Sequence, residues 1–166
     1  MRISIIAASR LRGFNGFLNQ FTGSAFGASL RLLDKDYTDA LISVRAWNGS
    51  ADQGQADIMP YAVGSEKLVD MNSLLINLDA TALGRGLTTS DTLADLVDSG
   101  GANYDGFVPT IYEQLNGNDF NQPTALRQGN LITGGVLNTL NGKPIINRSA
   151  DDNGGYLSTY APNGTG

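Results

Sequence analysis

Cysteine and histidine are both missing from this chain of 166 residues. Their absence excludes disulfide bonds, zinc sites built on thiolate or imidazole, cysteine nucleophiles and every Ser-His-Asp arrangement. Acid–base chemistry would therefore depend on carboxylates, lysine, tyrosine or a bound metal ion. The absence of cysteine fits a redox-exposed particle and also chance, so it identifies no compartment.

Charge is scarce as well, because charged residues make up only 16% of the chain while 41% is hydrophobic and Gly numbers 21. This composition favours one loop-rich β domain with a real core over a helical or disordered chain. The net charge of −5 gives no reason to expect nucleic-acid binding.

No long hydrophobic run is present. The apolar stretch near the N-terminus covers about six residues before Arg10 and Arg12, which is too short for a signal peptide or a membrane span. We therefore expect a protein made in the cytoplasm without a signal peptide and without membrane insertion.

The positive charge is concentrated at the N-terminus. Residues 1–33 carry four arginines and no acid, so this part is +4 and the remainder is −9. Residues 1–24 also hold phenylalanines at helical spacing, interrupted by glycines. We predict a docking arm, and the alternatives are solvated arginines and packing of the phenylalanines on their own domain. The residues assigned to docking are Arg2, Arg10, Arg12, Phe14, Phe17 and Phe21.

Two short helices are predicted. Residues 24–33 place leucines and a phenylalanine on one face after Ser24, which can cap a helix. Residues 90–97 have Ser90 as the candidate N-cap and an apolar face formed by Leu93, Leu96 and Val97. The segment at residues 80–89 fits no element and is interpreted as an insertion.

Alternation and turn residues predict the strands. Alternating side chains predict a strand at residues 40–47. Residues 48–54 are predicted to form a loop. Residues 57–63 are predicted to form a further strand, with Pro60 at an edge or a bulge. Further strands are expected at 74–78, 108–112, 131–133, 136–140, 144–147 and 156–160. Asn141-Gly142 predicts a type I′ turn between two of them.

Residues 112–118 carry a family resemblance. They resemble the YDQSGNGN signature of the arabinofuranosidase B type module, a two-sheet jelly roll of the concanavalin/laminin-G kind that recurs without its enzyme in bacteriophage structural proteins. Residues 28–45, 105–108 and 140–144 resemble other segments of the module in the same order. The matching signature residues are Tyr112, Glu113, Gln114, Asn116, Gly117 and Asn118.

The resemblance implies a scaffold without its catalytic residues. Glu113 stands where the pattern has Asp and Leu115 where it has Ser. The family's catalytic carboxylates lie downstream, so the resemblance covers only the N-terminal half of the module, and no catalytic residue is assigned. No cofactor is predicted. No metal site is predicted either, because the acids Asp105, Asp119, Asp151 and Asp152 follow no spaced calcium-loop pattern.

These observations predict a mainly β protein: a partial, jelly-roll-like antiparallel β-sandwich with two short helices and a basic, aromatic N-terminal arm. The expected divisions are an arm at 1–24, a sandwich at 25–160 and a flexible end at 161–166. The expected function is that of a non-enzymatic bacteriophage virion protein, a fibre, baseplate or capsid-decorating subunit. Its partners would be copies of itself and other virion proteins.

Two other function classes remain open. A lectin-like module would bind a host-surface glycan through exposed aromatic rings in a polar groove, and the candidate rings are Trp47, Tyr104 and Tyr112. For Trp47, an aromatic residue at the end of a strand, a role in the core is commoner than a role as a sugar-binding ring. The third class is a fragment of an arabinofuranosidase-like glycoside hydrolase, which would need two carboxylates about 5 Å apart.

Overall fold

The computed structural model describes residues 28–115, 117–147 and 161–162. The predicted arm at 1–24, its assigned arginines and phenylalanines, and the predicted strand at 156–160 lie outside these ranges. The strands are, in chain order, β1 Ile42–Trp47, β2 Asp52–Ile58, β3 Tyr61–Val63, β4 Glu66–Leu68, β5 Leu75–Ile76, β6 Asp98–Ser99, β7 Ala102–Asn103, β8 Asp105–Ile111, β9 Phe120–Asn121, β10 Gly129–Thr133, β11 Val136–Leu137, β12 Thr139–Leu140, β13 Lys143–Pro144 and β14 Ala161–Pro162. The helices are α1 Ala80–Gly84 and α2 Leu93–Val97.

One curled antiparallel sheet dominates and forms a half-barrel, which confirms the prediction of a mainly β protein. Its strand order is β11-β10-β8-β1-β2-β5, with β9 beside β8 and β14 beside β9. The first residues of β1 are buried without the in-and-out alternation of a half-exposed strand. This central strand is therefore covered on both faces.

The core lies where this sheet packs on the helices. Ala82 of α1 and Leu93 and Leu96 of α2 are fully buried in one cluster with residues of β1, β2 and β8. Burying such apolar surface is the main stabilising contribution, roughly 25 cal/mol for each Å² removed from water. The predicted inner face of the second helix is confirmed.

Helix α2 begins at a different residue from the one that the sequence indicates. Its N-cap is Thr92 rather than Ser90. Asp95 reaches back from the first turn and accepts hydrogen bonds from the backbone N–H of Thr92 at 2.8 Å and from its hydroxyl at 2.7 Å. These bonds lower the pKa of the Asp95 carboxyl, with the hydroxyl contributing most. The ionised carboxylate of Asp95 therefore stabilises the N-terminus of α2.

Replacing this carboxylate should test the cap. Asp95→Ala is expected to lower the free energy of unfolding at pH 7 by about 1 kcal/mol. Because the folded-state pKa of Asp95 is lowered, its contribution is complete above the ordinary value of 3.8 and is lost as pH falls through the folded-state pKa. The gap between wild type and variant should thus close in acid. Urea unfolding from pH 7 to pH 3 measures it, and Ser90→Ala should stay within about 0.5 kcal/mol of wild type.

The predicted helix at residues 24–33 is wrong for the residues that the structure describes. Ala28 forms an antiparallel bridge with Glu113, and Arg31 forms one with Leu68. The backbone N–H of Leu32 donates to the carbonyl of Lys67, so it is unavailable to a helix. Pairing with distant segments overrides the local helical pattern here.

Other boundaries also differ from the prediction. Strand β2 begins at Asp52, so the predicted loop at 48–54 is shorter, and Pro60 falls between β2 and β3 rather than inside one strand. The segment interpreted as an insertion contains α1, whose N-cap Asp79 accepts the backbone N–H of Ala82 at 2.8 Å. The predicted strand at 136–140 is divided between β11 and β12, which belong to different sheets.

The predicted turn at Asn141-Gly142 is confirmed, and a second hairpin turn contains two glycines. Gly134 and Gly135 connect β10 and β11, which pair antiparallel. Asn141 and Gly142 connect β12 and β13 with φ values of 51° and 73°. Both signs are those that a type I′ turn requires.

In the ranges that the structure describes, no helix is both long enough and apolar enough to cross a membrane.

Candidate functional site

An open cleft of about 390 Å³ lies beside the signature loop. It forms where the ends of β2, β5 and β8 meet the segment that precedes β1. Its walls combine two aromatic rings with carboxylates and amides, which makes it strongly polar. The lining residues are Tyr37, Asp39, Asp57, Asn77, Tyr112, Glu113, Gln114, Leu115, Gly117 and Asp119.

Asp57 connects two walls of the cleft. Its Oδ1 accepts a hydrogen bond from the Tyr112 hydroxyl at 2.7 Å, and its Oδ2 accepts one from the Asn77 amide at 2.9 Å. Asn77 has a φ of 50°, a left-handed conformation that Asn tolerates better than most residues. The position of the Asp57 carboxylate is thus fixed by Tyr112, which follows β8, and by Asn77, which follows β5.

The signature loop itself is held by its own buried polar side chains. Glu113 is 3% exposed, and its Oε2 accepts the backbone N–H of Gly117 at 3.0 Å. The backbone N–H of Glu113 donates in turn to Oδ1 of Asp119 at 3.0 Å. Buried polar groups of this kind are paired because leaving them unpaired costs free energy. These contacts fix the shape of the loop.

Gln114 connects this loop to the start of the described chain. Its Oε1 accepts the backbone N–H groups of Leu33 at 2.7 Å and Asp34 at 3.3 Å, and its Nε2 donates to the carbonyl of Arg31 at 3.0 Å. The side chain is buried, with 4% exposed. One glutamine side chain thus satisfies three backbone groups. In a helix, such groups would pair with the backbone of the same segment instead.

Truncating Gln114 should therefore be costly. Gln114→Ala leaves these three backbone groups without their partner, and we expect the free energy of unfolding to fall by about 2 to 4 kcal/mol. Urea denaturation followed by circular dichroism measures the loss. Gln53→Ala is the matched control, because the Gln53 amide donates only to the neighbouring carbonyls of Ala51 and Asp52. The scaffold role would be contradicted if both variants lost the same small amount.

The tyrosines of the cleft are half-buried and lie among negative charges. Burial raises the pKa of the Tyr112 phenol far above its ordinary value, and the hydrogen bond to Asp57 adds to the increase. Burial also raises the pKa of Tyr37, with further contributions from nearby carboxylates, Asp39 first. Both phenols therefore remain protonated and neutral at physiological pH.

The charge of the cleft has one sign. Four of its lining residues are carboxylates and none is Lys or Arg. Within the described ranges, Asp39, Asp57 and Asp119 form no salt bridge. A site lined in this way accepts hydrogen bonds and attracts positive charge.

Comparison with known proteins gives no match. No family model matches the chain, and neither does any curated protein or solved structure.

The structure separates Tyr112 from the other two aromatic residues predicted for glycan binding. Tyr112 follows β8 at the cleft, whereas Trp47 pairs with Asp105 at the opposite end of the β1–β8 pair. Five residues of strand separate these ends, or roughly 17 Å. Tyr104 immediately precedes Asp105, so it lies at the same end of the strand pair as Trp47. It is only 8% exposed, and the Arg85 guanidinium lies 5.1 Å from the centre of its ring.

Arg45 covers Trp47 in a similar way, with its guanidinium 5.6 Å from the ring centre of Trp47 and 5.2 Å from that of Phe107. Among the signature residues, Asn116 lies outside the described residues, and Gly117 and Asn118 are exposed. The structure thus brings Tyr112, Glu113, Gln114 and Gly117 together and leaves Trp47 and Tyr104 elsewhere.

Sequence patterns do not single out four of the ten residues that line the cleft. These are Tyr37, Asp39, Asp57 and Asn77, of which Tyr37 and Asp39 lie within a segment that resembles the family. No spacing pattern could have found Asp57 and Asn77, because the pairing of β2 with β5 brings them together. Among the described residues, no group of three or more Asp and Glu is arranged to hold a metal ion.

Proposed function

We propose that this chain is a non-enzymatic bacteriophage virion subunit of the fibre, baseplate or capsid-decorating type. The observation that carries the proposal is the role of the signature loop. Glu113 and Gln114 are buried. Glu113 accepts a hydrogen bond from the backbone N–H of Gly117, and Gln114 accepts one from the backbone N–H of Leu33. Residues that resemble the arabinofuranosidase B type module therefore act as scaffold, as expected where the module recurs without its enzyme.

A jelly-roll-like sandwich is the fold that we propose for the domain. The support is the antiparallel half-barrel together with the order of the segments that resemble the family. In the described sheet, β11 and β5 have a neighbour on one side only. Strands of this kind carry unpaired backbone groups that pair readily with another chain.

An exposed apolar side chain on one of these edge strands also favours assembly. Val136 of β11 is 68% exposed. An apolar side chain on an edge strand is suited to contact with another chain. In the proposed assembly, the basic N-terminal arm and the sheet edges make the contacts with other copies and with other virion proteins.

Light scattering on the full chain tests assembly directly. We expect size-exclusion chromatography to give one species whose mass is a multiple of 17.5 kDa. A monomer at every concentration would contradict the proposal. Mass spectrometry of purified particles should detect the chain at a fixed copy number, and aryl-arabinofuranosides should not be hydrolysed.

Glycan binding is a second candidate, favoured by the position of Tyr112 in the cleft. The half-buried ring of Tyr112 lies beside Asp57 and Asn77, and polar acceptors next to an aromatic ring are what a sugar site requires. A glycan array tests this role. Binding that disappears in Asp57→Ala and survives in Trp47→Phe would support it, because Trp47 lies at the other end of the strand pair.

A further inference from the structure

The cleft is short of positive charge. Asp39, Asp57 and Asp119 form no salt bridge within the described residues, and the two side-chain partners of Asp57 are neutral. Carboxylates that share a concave surface repel one another and favour a cationic ligand. A neutral ligand would leave this charge unpaired.

The hydrogen-bond donors around the cleft already have acceptors inside the protein. The Tyr112 hydroxyl and the Asn77 amide both donate to Asp57, and the Tyr37 hydroxyl donates to the carbonyl of Ala40 at 2.7 Å. A ligand must therefore supply donors of its own. A guanidinium group supplies five N–H donors and a delocalised positive charge, and it also stacks on aromatic rings such as those of the two tyrosines.

The sequence that precedes the described residues contains such groups. Residues 1–27 carry three arginines and no acid. The first described residue, Ala28, forms an antiparallel bridge with Glu113, which lines the cleft. The basic segment thus joins the described domain next to a residue that lines this acidic cleft.

We infer that this cleft is the docking site for the N-terminal arm of a second copy, with Arg10 or Arg12 paired to the carboxylates beside Tyr37 and Tyr112. The inference rests on the proposed assembly and names the surface that receives the arm. Opposite charge and the exit of the arm beside the cleft favour this occupant over a neutral glycan.

A double-mutant cycle on the full chain tests the pairing. Asp39→Asn/Asp119→Asn removes two charges and keeps the side-chain oxygens that accept the backbone N–H groups of Ala40 and Glu113. Arg10→Gln/Arg12→Gln removes the charges of the arm. Each pair of substitutions should raise the dissociation constant of the assembly about tenfold or more, and combining them should add little. Light scattering over a dilution series measures these constants.

Asp70→Asn/Asp98→Asn is the matched control, because it removes two charges elsewhere. Each of these carboxylates also accepts a backbone N–H, from Asn72 and Gly101. The control should assemble like wild type. If the cleft variant also does so while the arm variant does not, the arm docks elsewhere and the inference fails, although the proposed assembly stands. If wild type is a monomer throughout, both fail.

Cross-linking gives a readout that does not depend on the stability of the cleft variant. Arg10→Lys/Arg12→Lys preserves the positive charge and allows a carbodiimide to join the arm to a carboxylate without a spacer. We expect intermolecular links from position 10 or 12 to Asp39, Asp57 or Asp119. Links only to other acids, links only within one monomer, or a neutral glycan that binds the cleft without affecting assembly would each overturn the inference.

Discussion

Gly54→Ala should lower the free energy of unfolding by about 3 to 5 kcal/mol, because it adds backbone strain and a steric clash. Gly54 lies buried in β2 with a φ of 110°, a conformation that L side chains rarely adopt. A Cβ there would lie 2.6 Å from the backbone N and 2.7 Å from the Cα of Ala82 in α1. The helix backbone would have to move, since no flexible side chain can yield instead.

Gly49→Ala separates the contribution of backbone strain from that of the steric clash. Gly49 also has a positive φ, of 91°, but nothing lies within 4 Å of the Cβ it would gain. We expect a loss of about 1 to 3 kcal/mol from strain alone. Urea unfolding of both variants measures the difference, which reports the contact between β2 and α1. Equal losses would mean that α1 does not pack on this strand as described.

Arg85→Met should cost about 3 to 4 kcal/mol, because one guanidinium connects three parts of the fold. Its Nη1 donates to the carbonyls of Gln53 and Leu96, both at 2.8 Å, and its Nη2 donates to those of Asp98 at 2.8 Å and Asp95 at 3.3 Å. Two of these carbonyls belong to α2. Cations at a helix C-terminus satisfy carbonyls that lack a partner within the helix.

The measurement for Arg85 is again urea unfolding, with Arg127→Met as the control. Arg127 is exposed, so its replacement should change stability by no more than about 0.5 kcal/mol. Arg85→Lys should fall between the two, because a single ammonium group cannot span all four carbonyls. A loss in Arg85→Met no larger than that of the control would contradict the connecting role.

Sequence patterns predict the features of the fold that depend on interactions between residues close together in the chain. The strand at 42–47 follows from alternation, and the turn at Asn141-Gly142 follows from the left-handed backbone that these two residues tolerate. The inner face of α2 likewise follows from its spacing. Each of these features is decided by residues within one turn or one hairpin.

Features decided by distant residues were not predictable. Residues 28–33 have helical spacing, yet their backbone groups pair with residues near 67–69 and with the side chain of Gln114. The cleft depends on a hydrogen bond between Asp57 and Tyr112, which are 55 positions apart. Sheet pairing, which the sequence does not display, brings these residues together.

The pairing of β1 with β8 has a consequence for synthesis. Ile42 lies opposite Ile111, so the central strand of the sheet must wait for most of the described chain to leave the ribosome. Before that point, β1 can pair with β2 but lacks its other neighbour in the sheet. Such non-local topologies fold slowly and are exposed to aggregation meanwhile. We therefore expect the nascent chain to be most exposed to aggregation before β8 has been synthesised.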